Sequence, residues 1–225
     1  MTTGRRAEAV NAVQSETGTW RQLPGWVVAL ILLCCGIELL IVALQLAGWS
    51  DARGMATVYG GFWSRLFHDL WPVYPGQQLA MFFSYGLLHG GILHLAMNMV
   101  SLAVVARELA KLTGPGVMLL VYLICQIAAA GLFALMAPAA GPMVGASGAV
   151  FGLAGALVGL VAIRRRQRGQ PMGPLWRAVA NIVVLNLGLT LLVPAIAWQA
   201  HLGGAVTGLA LGLWIGRTQP ASTRR

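Results

Sequence analysis

The stretch Gly145-Ala146-Ser147-Gly148 opens an apolar segment in which glycine returns at 152, 155 and 159. Gly-x-Ser-Gly alone is a weak signal, because a small residue in a membrane helix commonly serves helix packing. Its position changes the reading. Ser147 stands at the N-terminal end of the apolar run, where a helix presents unpaired N–H groups and the positive end of its dipole. A developing negative charge is favoured there. Gly145 and its neighbours permit a sharp turn before the helix. The glycines at 148, 152, 155 and 159 recur on one face and let a second backbone approach closely. The segment predicts a transmembrane helix, tightly packed on one side, with a hydroxyl at its mouth.

The surrounding composition places that helix in a membrane protein. Of 225 residues, 58% are hydrophobic and 9% charged, with a mean hydropathy of +0.75. A soluble domain carries about 25% charged residues. The net charge of +9 is not a nucleic-acid footprint, because the basic residues flank apolar runs as topology signals do. Cys34, Cys35 and Cys125 lie inside such runs, where they read as packing residues. No spacing of metal ligands occurs, and no metal or organic cofactor is implied.

Six spans of roughly the length needed to cross hydrocarbon are expected at about 25–47, 91–109, 116–136, 147–163, 176–193 and 196–215. Residues 1–24 form a polar N-terminal tail, residues 25–216 one membrane domain, and residues 217–225 a basic C-terminal tail. The first span contains Glu38, expected as a protonated or hydrogen-bonded carboxyl on an inward face. The long connection 48–88 carries Phe62, Trp63, Leu66, Phe67, Leu70 and Trp71, with Arg65, His68 and Asp69 between them. That spacing predicts an amphipathic helix lying in the interface, broken by Pro72 and Pro75. Thirteen of the 15 Lys and Arg residues then fall on the face that holds both termini; only Arg53 and Arg65 fall on the other. The positive-inside rule makes that face cytoplasmic.

The same topology brings three distant polar stretches to one depth near the outer leaflet. They are His94-Leu95-Ala96-Met97-Asn98, Ser147, and His201-Leu202-Gly203-Gly204 with Gly208. A histidine in an apolar run is costly unless it faces the bundle interior or a water cavity. Gly204 and Gly208 share the helical face of His201, so that face can press on the glycine stripe after Ser147. With Ser147 opposite, His201 reads as a general base that takes the hydroxyl proton and returns it to a leaving amine. His94 and Asn98, at i and i+4, suit donors to an oxyanion; interhelical glue is the plainer alternative. His89 is either a helper there or a structural hydrogen bond. No carboxylate falls near these elements, so the residues support a Ser–His dyad.

His94-x-x-x-Asn98, Gly145-x-Ser147-Gly148 and His201-x-x-Gly204-x-x-x-Gly208, in that order, resemble the rhomboid family of intramembrane serine proteases. The resemblance covers about residues 25–216. It implies Ser147 as nucleophile and His201 as base, with His94, Asn98 and the Ser147 backbone N–H as the oxyanion hole. It also implies Phe151 as the aromatic on which the histidine ring packs. His89 fits the family's His-rich start of the second span. The family's Trp-Arg pair, which braces the first loop, is replaced by Ala80 and Met81, so the brace is in question. The chain looks like the minimal bacterial six-span form, in an inner membrane with both termini cytoplasmic. Its expected partners are transmembrane protein substrates and the lipid bilayer, not nucleic acid or metal. A catalytically silent relative that binds membrane proteins, and a small transporter lined by the same polar residues, are the rival readings.

Overall fold

The computed structural model describes residues 23–192 and 196–219. The tail predicted for residues 1–24 falls almost wholly outside the described residues, as does most of the C-terminal tail. Eight α-helices are present among the described residues. Six are long: α1 (Gly25–Leu46), α4 (Ile92–Thr113), α5 (Pro115–Met136), α6 (Ser147–Gln167), α7 (Gly173–Leu192) and α8 (Trp198–Thr218). Two short ones, α2 (Ala52–Gly60) and α3 (Gln77–Ser84), lie in the first connection. By length and composition, α1, α4, α5 and α6 are able to cross a membrane. Helices α7 and α8 have 20 and 21 residues, which is the same reach of roughly 30 Å. Gln199, His201 and five glycines dilute the apolar character of α8. The glycines among them pack the helix closely against its neighbours.

The ends follow local rules. Gly114, at φ +81°, ends α4, and Pro115 starts α5 directly after it. Glycine tolerates the left-handed turn, and proline is preformed for the first helical position. The long helices run several residues past the expected cytoplasmic limits of their spans, to Thr113, Gln167 and Thr218. Arginines continue a helix readily once it leaves the lipid. At that end Arg164 donates to the Leu112 carbonyl at 3.0 Å and ties α6 to α4.

Burial is inverted relative to a soluble protein. Leu32 and Leu39 are 66% and 64% exposed, while Glu38, on the same helix, is 1% exposed. Large apolar side chains face outward, where lipid takes the place of water, and polar groups turn inward. The interior divides into two clusters. One runs through α1, α4, α5 and α6, around Leu102, Met118 and Leu153. The other sits at the Ser147 end and joins the first connection to α5 and α8, around Phe62, Tyr85 and Phe133.

The closest helix pairing is α6 on α8, and glycine makes it possible. A Cβ on Gly204 would collide with the Gly148 carbonyl, one on Gly208 with the Gly152 carbonyl, and one on Gly212 with the Ala156 carbonyl. From the other side, a Cβ on Gly159 would lie 2.6 Å from the Leu209 carbonyl oxygen. Backbone therefore packs on backbone along this seam. Helix α7 packs against α6 far more loosely.

The amphipathic helix expected over 62–71 is not formed. Phe62 instead pairs with Met143 as a single antiparallel bridge, with both N–H···O bonds at 2.9 Å. That pairing needs extended backbone, so no helix can start there. A one-turn 3₁₀ helix, Ser64–Phe67, follows. The alternation of apolar and polar residues survives in pieces. Phe62 and Leu66 are buried in the cluster at the Ser147 end, while Trp71 is 91% exposed. Arg65 and Asp69 form an exposed ion pair, and the Arg65 hydrogen bond holds the Asp69 carboxyl below its ordinary value.

Candidate active site

Ser147 is the first residue of α6, so its hydroxyl and its free N–H lie at the same helix end. The preceding loop is held from two sides. Met143 pairs with Phe62, and the Gly145 N–H donates to the Tyr85 carbonyl at 2.9 Å. Tyr85 is itself fully buried and donates its hydroxyl to the Gln126 carbonyl at 2.7 Å. Gly145 has φ +123°, a conformation that favours glycine. A second reason for glycine is space. A Cβ there would lie 2.9 Å from both Cε1 and Nε2 of His94, and 3.8 Å from Ser147 Oγ.

His201 reaches Ser147 across the glycine seam, with Nε2 2.8 Å from Oγ. Its ring stacks on Phe151, one turn after Ser147, at 4.4 Å between centroids and 19° between planes. Gly204 and Gly208 set this distance, since either side chain would push α8 away from α6. Serine and histidine are 54 residues apart in sequence. They meet because small residues let their helices touch.

His94 occupies the other side of Gly145. The Gly90 N–H donates to His94 Nδ1 at 3.1 Å. A neutral imidazole carries one N–H, so its proton is on Nε2, the nitrogen next to Gly145. This arrangement offers a neutral donor towards the mouth of α6. Asn98 is buried and spends one amide N–H on the His94 carbonyl at 2.9 Å. Its second N–H remains, and its Oδ1 has no protein partner. His89 is buried, and its ring packs edge-on against His94 at 5.3 Å.

Two features were missed in the sequence. The first is a clamp on the loop that carries His89 and Gly90. Arg53 of α2 donates to both oxygens of Glu38, at 3.0 and 2.7 Å, and to the His89 carbonyl at 2.7 Å. Glu38 is thus paired with a cation, and the hydrogen bond to its carboxylate holds the Arg53 guanidinium above its ordinary value. The second is Asn186 of α7, whose Oδ1 lies 3.0 Å from His201 Nδ1. Depth could have found it. Counted in sequence from Pro194, Asn186 and His201 are eight and seven residues away, nearly level on antiparallel helices. Asn181 is five residues further, or about 7.5 Å deeper.

The model of the Rhomboid domain family matches residues 76–218 of the chain. The match spans α3 to α8 and includes every residue of the Ser147 cluster. Glu38 and Arg53 lie outside it. No curated protein matches the chain.

Proposed function

From the premise that this chain belongs to the rhomboid family, we propose that it is an intramembrane serine endopeptidase. It would cleave membrane proteins within or near their transmembrane segments through Ser147 and His201. The observation that carries this reading is the 2.8 Å contact between Ser147 Oγ and His201 Nε2. A hydroxyl at a helix N-terminus, facing an imidazole nitrogen, is what nucleophilic acyl transfer requires.

His201 Nε2 accepts the hydroxyl proton as Ser147 Oγ attacks the carbonyl carbon of the scissile bond. The carbonyl π electrons move to oxygen and form an oxyanion. The Ser147 N–H and the His94 Nε2–H supply donors that are already oriented, so little reorganisation is needed. Asn98 is the third candidate donor through its second amide N–H. The imidazolium then gives its proton to the amide nitrogen, the C–N bond breaks, and the new N-terminus leaves. Water, deprotonated by the same Nε2, attacks the acyl ester and regenerates Ser147. Phe151 holds the ring plane throughout.

The site lies at the mouth of a membrane helix, so a substrate helix must unwind there to present its carbonyl. Small or helix-breaking residues near the cut are therefore favoured. The positive-inside asymmetry supports a mouth towards the outer leaflet with both termini in the cytoplasm, as in a bacterial inner membrane. The test is labelling of the purified protein by a serine-directed fluorophosphonate, together with cleavage of a reporter membrane substrate in liposomes. Both should vanish in Ser147→Ala, and cleavage in His201→Ala, with melting retained. Unlabelled wild-type protein without cleavage would support the silent, binding relative.

A further inference from the structure

We propose that Asn186 is a positioning residue for His201: its side-chain oxygen accepts the Nδ1–H and locks the tautomer whose Nε2 lone pair faces Ser147. The proposal rests on the protease reading for its consequence, but the bond itself is testable without it. A neutral imidazole carries one N–H. For Nε2 to accept the serine proton, that N–H must be on Nδ1 and needs an acceptor away from the serine. Asn186 Oδ1 stands there, 3.0 Å from Nδ1, while Nε2 is 2.8 Å from Ser147 Oγ.

The three contacts on the ring restrain different motions. Stacking on Phe151 fixes the ring plane, but a stacked ring can still slide and rotate within that plane. Two hydrogen bonds at opposite nitrogens remove this freedom. They come from different helices, α6 through Ser147 and α7 through Asn186, while the ring belongs to α8. The tautomer is therefore set by tertiary structure and not by the histidine's own helix.

The amide also suits the location. When Ser147 gives up its proton, the ring becomes an imidazolium and its Nδ1–H bond strengthens. An amide oxygen supports that cation only as it forms. A carboxylate would carry a permanent charge into the membrane interior, which is costly. The reverse orientation of the amide would present N–H to Nδ1, move the ring proton to Nε2, and point it at Ser147. No proton could then leave the serine. The two orientations make opposite predictions.

The experiment uses the full chain, wild type, Asn186→Leu and Asn186→Asp, in lipid bilayers. The His201 ring nitrogens are read by ¹⁵N NMR, with His201→Gln for assignment, and kcat, KM and melting are measured with a membrane reporter substrate. In wild type, Nδ1 should carry the proton. Asn186→Leu should lose the single tautomer and lower kcat by about tenfold, the scale of one neutral hydrogen bond. KM and melting should change little. Asn186→Asp keeps an acceptor and should restore both the tautomer and most of the rate, which a merely structural role would not require. A wild-type His201 protonated on Nε2 overturns the proposal even if Asn186→Leu does not fold. So does Asn186→Leu with full kcat and an unchanged tautomer. Wild-type protein that neither cleaves nor reacts with fluorophosphonate refutes the protease reading instead, and leaves the tautomer measurement to decide the bond.

Discussion

The Arg53 clamp allows stability and rate to be separated in one experiment. Arg53→Leu removes both hydrogen bonds to the Glu38 carboxylate, which is 1% exposed, and frees the His89 carbonyl. Removing one member of a buried ion pair costs about 3–5 kcal/mol. The Arg53 side chain is 27% exposed, so a loss at the lower end, about 3 kcal/mol, is expected. The rate should fall for a different reason. The His89 carbonyl precedes Gly90, whose N–H orients His94. A loosened loop misdirects that donor. Complete removal of one oxyanion donor costs about 10²–10³ in rate, and misdirection should cost less, about tenfold. The double variant Glu38→Leu/Arg53→Leu has no stranded charge. Apolar replacement of a buried pair is often neutral, so melting should recover most of its loss. The His89 carbonyl remains free, so the rate should stay low. Melting and reporter cleavage in liposomes, measured on wild type, the single and the double variant, decide the matter. A double variant that recovers stability and rate together would refute the route from Arg53 to His94. A single variant that melts like wild type would refute the clamp itself.

Gly208→Ala should lower kcat more than Gly159→Ala in reporter cleavage, although both wedge the α6–α8 seam. Gly159 needs a separation of about 0.8 Å to relieve its 2.6 Å approach to the ordinary 3.4 Å, but it lies three turns from Ser147, whereas a misplacement of about 1 Å at the chemistry costs about 10²-fold. Phe62→Ala should lower stability by about 3–5 kcal/mol, because Phe62 is fully buried against Phe82, Tyr85 and Phe133; thermal melting of Trp71→Ala, at a 91% exposed position, should match wild type. Asn98→Ala should reduce kcat with little change in KM, by less than the about 10² of a sole donor, since His94 and the Ser147 N–H remain; an unchanged kcat with early melting would make Asn98 structural glue.

What could be read from the chain divides by the range of the forces involved. The long helices, their basic flanks and the glycine seam follow from solvation and steric size, which act on each segment alone. Ser147 and His201 were legible because both are polar residues at one depth on glycine-striped faces, and depth is encoded in position along each span. The first connection was not legible in the same way. Its apolar residues repeat as a helix would, but Phe62 has a better partner in Met143, 81 residues away. Periodicity measures what a segment would do without such a partner, so it overstated the helix over 62–71. Glu38 was read as an inward carboxyl, and its burial bears that out, but its cation sits beyond the turn that follows α1. Only the fold decides whether Arg53 bends back to it or points to water.

Asn186 shows where depth reasoning could have gone further. An amide in a membrane helix is costly unless another polar group meets it. Helix α7 contains Asn181 and Asn186, and α8 has His201 and Gln199 near its start. Antiparallel neighbours pair residues at equal distance from their connection, which favours Asn186 with His201. Among the described residues no carboxylate meets His201, yet the ring's second nitrogen needs an acceptor whatever its charge, and Asn186 stands there. A neutral acceptor is the less costly choice at this depth. The same economy accounts for the position of the one carboxylate in α1. Glu38 is paired with Arg53 from the connection, and the pair holds the backbone that orients His94. The ion pair lies beside the candidate site, while the contacts around Ser147 are made by His201, with Asn186 and Phe151 behind its ring.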